Sequence, residues 1–125
     1  MARIALVVDD MPAMVRALRR SLASCFDQVY MATSKTEAEA ALAAASPPVT
    51  HLVCDDNLGD GQQPGSELIP VLRAAHPTIR LAVLLTGGSN VVNAGKLSGI
   101  DRVFVKPCDM DELERFLQSN EEGTG

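Results

Sequence analysis

Four short apolar runs, each cut off abruptly by a polar residue, constrain this chain more than any other feature of its sequence. Ile4-Ala5-Leu6-Val7-Val8 ends in Asp9-Asp10, Leu52-Val53-Cys54 in Asp55, Ile79 to Leu85 in Thr86-Gly87-Gly88, and Val103-Phe104-Val105 in Lys106-Pro107. Aliphatic runs without alternation read as strands buried on both faces, the condition of a parallel sheet covered by helices. In such sheets the crevice beyond the carboxyl ends of the strands is where function sits. Carboxylates, a hydroxyl and an ammonium are therefore expected on one rim, a pattern that points to an acidic metal pocket.

Between these runs, helical and strand patterns alternate. Pro12 suits the first turn of a helix, and Val15, Leu18 and Leu22 recur at helical spacing to about Ser24. A second strand spans Gln28 to Ala32. Ser34-Lys35-Thr36-Glu37 has the form of a capping box and opens an Ala-rich helix to Ala45, stopped by Pro47-Pro48. The third strand is Thr50 to Cys54. A polar, Gly-rich loop from Leu58 to Gly65 leads to a helix over Glu67 to Ala75. Ser89 or Asn90 caps a short fourth helix to about Leu97, weakened by Gly95. Strand five is Asp101 to Val105. Asp109-Met110-Asp111-Glu112 resembles a second capping box for a last helix with Leu113, Phe116 and Leu117 inward. The pattern predicts an α/β sandwich with a parallel sheet and right-handed crossovers, as one domain over residues 1–118 with a flexible tail over 119–125.

Composition narrows the partners. A net charge of −5 argues against nucleic acid as a direct ligand, because phosphate backbones demand clustered Lys and Arg. The aromatics are Phe26, Tyr30, Phe104 and Phe116, too few for a base-stacking surface. Cys25, Cys54 and Cys108 show no CxxC or Cys/His spacing, and an odd count does not fit a secreted disulfide framework. The expectation is a reduced, cytoplasmic setting and no membrane partner, since no apolar stretch is long enough to span a bilayer.

The order Asp9-Asp10, Asp55 with Asn57-Leu58 after it, Thr86-Gly87 and Lys106-Pro107 resembles the receiver domain of bacterial two-component response regulators, over residues 3–118. The resemblance implies a flavodoxin-like (βα)5 fold with sheet order 2-1-3-4-5. It makes Asp55 the phosphoacceptor, three positions before Leu58, with Asp56 turned away by the two-residue strand period. Asp10 is implied as a direct Mg2+ ligand, Asp9 as a direct or water-mediated one, and the backbone carbonyl of Asn57 as a third donor beside Asp55. Thr86 is implied to hydrogen-bond the phosphoryl group and Lys106 to pair with its oxygen, with the Lys106–Pro107 bond cis. The implied role is that of a regulatory phosphoacceptor, not an enzyme acting on a separate substrate. The resemblance further implies a histidine kinase or phosphotransfer protein as phosphodonor, with Met14, Ala17 and Ser21 as candidate contacts, and a downstream protein or linked domain that reads the result.

The residues stand in the same relation without the family. Carboxylates about 5 Å apart repel by roughly 3 kcal/mol at an effective dielectric near 20, so three of them need cations. Lys106 supplies one charge and a hard divalent ion two more. Two other classes compete. A phosphate-independent receiver-fold interaction domain would have a vestigial pocket, and an aspartate-based phosphohydrolase would need an Asp-x-Asp, which neither Asp9-Asp10 nor Asp55-Asp56 provides.

Departures from the family pattern carry their own expectations. Val103 stands where many receivers have an aromatic switch residue, and Phe104 is expected on the opposite side of the sheet. Cys108 replaces a common Phe, the Gly59 to Gly65 loop is long, and helix four is short, so dimerisation through that surface is not carried over. Gly87 and Gly88 leave the pocket mouth open to water. His51 reads as a surface or edge residue, Cys54 as a small buried one, and Asp60 as solvent-facing.

Overall fold

A computed structural model describes residues 2–59, 61–87, 99–106 and 110–123. Five parallel strands form one sheet in the order β2-β1-β3-β4-β5, with β1 at Ile4–Val8, β2 at Gln28–Ala32, β3 at His51–Asp55, β4 at Leu81–Thr86 and β5 at Arg102–Val105. The helices are α1 at Pro12–Leu22, α2 at Lys35–Ala44, α3 at Gly65–Ala75 and α4 at Met110–Gly123. This is the flavodoxin-like α/β sandwich expected from the sequence. The fourth helix of the sequence pattern, near Ser89 to Leu97, lies outside the described residues, as do Asp60, Gly88, the Lys106–Pro107 bond, Cys108 and Asp109.

Alternation along the strands divides the core into two layers. Ile4, Leu6, Val8, Leu52, Cys54, Ala82 and Leu84 face α2 and α3, meeting Ala38, Leu42, Leu68, Ile69 and Leu72. Ala5, Val7, Val53, Val83, Leu85 and Phe104 face the other way, against Val15, Leu18 and Leu22 of α1 and Leu113 and Leu117 of α4. Both layers are almost entirely aliphatic, which is why the central strands carry continuous apolar runs.

The helix starts follow local chemistry. Pro12 occupies the first turn of α1, where its missing N–H costs nothing. Ser34 Oγ accepts from the Glu37 amide at 3.1 Å, and the Glu37 carboxylate returns to the Thr33 amide at 2.7 Å and its hydroxyl at 2.8 Å. The capping box thus closes one residue earlier than its usual form. Helix α3 begins at Gly65, two residues before the sequence pattern places it, because the Asp56 side chain caps it from across the loop. Helix α4 runs on to Gly123, so residues 119–123 extend the helix where the sequence reads as a tail; Ser119 to Glu122 contains no breaker, and the first glycine is Gly123 itself.

His51 corrects an expectation. It is fully buried in the central strand, between Ala5 of β1 and Leu81 of β4, not at a surface or edge. Its Nδ1 lies 2.7 Å from Thr50 Oγ1 and its ring meets Phe26 edge to face at 4.9 Å. A polar side chain is tolerated there because a hydroxyl and an aromatic edge replace water.

At the opposite end of the sheet from the acidic residues, Arg73 ties three segments together. Its guanidinium donates to the carbonyls of Gly99 at 3.0 Å, Ile79 at 3.2 Å and Arg80 at 3.1 Å, and to Asp101 Oδ2 at 2.9 Å. The same Asp101 oxygen accepts from the Ala82 amide at 2.7 Å, which fixes the start of β4 beside the approach to β5. Arg73→Met keeps the apolar stem and removes every one of these donors. A loss of about 2 kcal/mol in urea-unfolding free energy is expected, with a smaller loss for Asp101→Asn.

Candidate functional site: a three-carboxylate pocket at the sheet edge

Because all five strands run the same way, their carboxyl ends open on one edge. Strand β1 lies beside both β2 and β3, so the chain leaves it in opposite directions and a crevice opens there. Asp9 follows β1, its amide held by the Ala32 carbonyl at 3.1 Å, and Asp55 is the last residue of β3. Thr86 is the last residue of β4 and is buried; its carbonyl accepts from the Lys106 amide at 2.7 Å, which sets where the lysine side chain departs.

Of the residues predicted from sequence, Asp9, Asp10, Asp55 and Lys106 come together here. Asp9, Asp10 and Asp55 each offer a carboxylate oxygen within 4.8 Å of the others. Lys106 Nζ lies 2.7 Å from Asp55 Oδ1 and 3.3 Å from Asp9 Oδ2. Asp9 is fully buried, and its Oδ1 accepts from the Met11 amide at 2.9 Å, so its orientation is fixed by the turn into α1. Asp10 stands at the more open side of the cluster. All three donors are carboxylate oxygens, the set a hard divalent cation takes.

Charge in the pocket is only partly balanced. Burial pushes the Asp55 carboxyl up and the Asp9 charge adds to it, against the Lys106 hydrogen bond and charge and the Asn57 amide. Burial by itself lowers Lys106, but its hydrogen bond to Asp55 and the charges of Asp55 and Asp9 outweigh it and raise the ammonium overall. Three acids against one ammonium leave an excess of negative charge that a cation relieves.

The neighbouring acid does different work. Asp56 Oδ1 accepts from the Ser66 amide at 3.0 Å in the first turn of α3, its amide donates to Leu85 at 2.8 Å, and its carbonyl accepts from Gly65 at 2.9 Å. Asp56 is thus a helix cap and Asp55 the pocket acid. Asn57 is exposed; its side chain accepts from the Gly59 amide at 3.0 Å and shapes the loop. Cys54 is buried, donates to the Asp55 carbonyl at 3.3 Å, and has its thiol pushed up by burial and then by the Asp55 charge, which makes it inert at neutral pH.

Gly65 is the functional-region residue that sequence reasoning missed. A Cβ there would lie 2.2 Å from the Asp55 carbonyl oxygen and 2.9 Å from its carbon, so the start of α3 seats directly on the backbone of Asp55. The Pro64-Gly65 pair ahead of a helix is the available signal, but it does not say what the glycine touches. At Gly87 the opposite holds: among the described residues, a Cβ meets nothing within 4 Å.

On β5, Val103 packs with the α2/α3 layer and Phe104 lies on the opposite face, as the alternation predicts. The Phe104 ring meets Phe116 edge to face at 6.0 Å, with the Arg102 guanidinium over both at 4.7 and 5.3 Å.

The fold and the acid cluster place this chain structurally with CheY-like response regulator receiver domains. A response regulator receiver domain from Methylobacillus flagellatus matches with TM-score 0.76 and 27% identity, covering 95% of this chain and 98% of that one. The signal receiver domain of an HD domain-containing protein from Pseudomonas fluorescens Pf-5 matches with TM-score 0.83 and 23% identity, covering 98% and 97%. A CheY-like receiver domain protein from Methanospirillum hungatei JF-1 matches with TM-score 0.83 and 21% identity over 100% of both chains. No family model and no curated protein matches the sequence.

Two predictions follow from the geometry. Gly65→Ala forces α3 off the Asp55 backbone, and a loss of about 2 kcal/mol or more in unfolding free energy is expected by chemical denaturation. Because the folded Asp55 holds its proton more tightly than the unfolded chain does, its contribution to stability falls as pH rises from about 4 through its raised value. In EDTA, Asp55→Asn is therefore expected to melt above the parent at pH 7, with the gap closing toward pH 4.

Proposed function

We propose that this domain is a phosphoacceptor signalling module of a two-component system, taking a phosphoryl group from a histidine kinase or phosphotransfer protein onto Asp55. The observation that carries the reading is the Lys106 ammonium bridging Asp55 and Asp9 inside a three-carboxylate cluster. Asp9, Asp10, Asp55 and the Asn57 carbonyl would hold Mg2+. When bound, the ion supplies charge neutralisation for the acids and the incoming phosphoryl oxygens.

The remaining roles fall to the chain itself. An Asp55 oxygen forms the new bond to phosphorus as the bond to the donor histidine nitrogen breaks, and that nitrogen keeps the electron pair. Lys106, already at Asp55, is placed to compensate charge on a phosphoryl oxygen in flight and in the product. Thr86 donates its hydroxyl to the phosphoryl group. With no side chain at Gly87, water has access to the acyl phosphate, which suits a transient signal. A phosphohydrolase is disfavoured because position 57 is Asn and Asp56 is committed to capping α3.

For the phosphodonor we propose contact at Met14, Ala17 and Ser21 of α1; Ala17 is exposed and the other two are half-buried. Similar folds occur in receivers joined to larger proteins, such as the HD domain-containing protein, so a linked or separate output partner is part of the reading. A cytoplasmic setting goes with it; among the described residues no helix is long and apolar enough to cross a membrane.

Acetyl phosphate with Mg2+ is expected to add one phosphoryl group by intact-mass measurement, lost in Asp55→Asn and on EDTA treatment but retained in Asp56→Asn. Asp56→Asn should cost about 1 kcal/mol or less, since an amide oxygen still caps α3. Absence of Asp55-dependent labelling would leave a phosphate-independent interaction domain, and a phosphoryl half-life of many hours would contradict a transient signal.

A further inference from the structure

An acidic molecule carries an uncompensated basic flank. Arg16, Arg19 and Arg20 are exposed on α1 at positions i, i+3 and i+4, and α1 contains no acidic residue. Among the described residues, none of the three has an ion-pair or hydrogen-bond partner. Arg16 repels Arg19 and Arg20 at this spacing, while the last-turn position of Arg19 and Arg20 suits the helix dipole, so the three charges stand together on one exposed flank.

The three guanidinium groups surround a concavity. A groove of about 330 Å³ lies between this flank of α1 and the outer strand β2, lined by Arg16, Arg19, Arg20, Ala23 and Met31. Met31 of β2 is 42% exposed and gives the groove an apolar lining. A second hollow of about 230 Å³ shares Arg19 and Ala23 and continues along β2 to Gln28. Asp27 also lines that hollow and keeps its charge, since its partner is the neutral Arg3 main-chain amide at 2.7 Å, so the positive surface lies at the Arg16, Arg19 and Arg20 end. The combined groove follows β2 for about four residues, on the order of 13 Å.

Helical spacing puts this flank away from the one proposed for the phosphodonor. Met14 packs into the α1/α4 layer, and Cys25, just past α1 on that side, contacts Glu114 of α4 at 3.7 Å. The arginines look toward β2 instead.

We propose that the α1/β2 groove docks an acidic peptide segment of a partner protein, its carboxylates on Arg16, Arg19 and Arg20 and an aliphatic side chain against Met31. Charge complementarity selects the occupant. A net charge of −5 repels an extended polyanion such as nucleic acid at long range, while a short acidic segment meets only the local basic surface. A narrow concavity with one apolar residue at its base fits a side-chain anchor better than a planar lipid surface. The inference stands apart from the phosphoacceptor reading, and its failure leaves that reading intact.

The test is fluorescence anisotropy with a short fluorescein-labelled peptide of Glu, Asp and Leu, with a Lys/Leu peptide, a DNA duplex and phosphatidylserine vesicles as comparators. The acidic peptide is expected to bind the unmodified protein with an affinity that falls as salt rises. The triple variant Arg16→Gln, Arg19→Gln, Arg20→Gln should weaken it by about tenfold, as three exposed charge pairs are lost. Arg20→Glu and Met31→Asp, each alone, should weaken it in the same direction, while Asp55→Asn should leave it unchanged. Circular dichroism reports folding of each variant. No binding of the acidic peptide at low salt, equal binding by the arginine variants, or tighter binding of duplex or vesicles would overturn the proposal.

Discussion

Parallel strand direction is the constraint from which the pocket follows. It brings the residues after β1, β3, β4 and β5 to one edge whatever their separation in sequence, and so forces Asp9, Asp10 and Asp55 into each other's field. The fold tolerates this repulsion because Lys106, launched from the end of β5, reaches both buried acids at once. Its position rests in turn on the Thr86 carbonyl, which holds the Lys106 amide. The excess negative charge that remains is of the kind a hard divalent cation relieves.

Much of this was legible in the sequence because the relevant signals are local. The end of each apolar run marks a strand end to within a residue or two, and β2 at Gln28–Ala32 matches the pattern at both ends. The two-residue period correctly separates Asp55 from Asp56 and Val103 from Phe104. His51 was misplaced for a corresponding reason: a polar residue at the head of a run reads as exposed unless one knows that its strand is central and that Phe26 and Thr50 enclose it. Gly65 was not legible as a contact residue, since its role depends on the backbone of Asp55 ten positions earlier in the chain. The early start of α3 has the same origin, in a cap donated from across the loop.

The two sheet edges carry opposite characters. The β5 edge is closed by the stack of Arg102, Phe104 and Phe116, with Phe104 on the face away from the position where many receivers place a switching aromatic. The β2 edge is left open beneath the guanidinium groups of α1. A domain of net charge −5 thus concentrates exposed positive charge along one flank, so the charge sign a partner meets depends on the edge it approaches.

The seating of Gly65 on the Asp55 main chain leaves no slack between the pocket acid and the third helix. No side chain stands between the two backbones, so the contact is made main chain to main chain. The first turn of α3 then works like a stylus resting on a groove. Its far end bears Arg73, which grips the start of β4 and the approach to β5, so a single helix joins the main chain of the pocket acid to the opposite rim of the sheet.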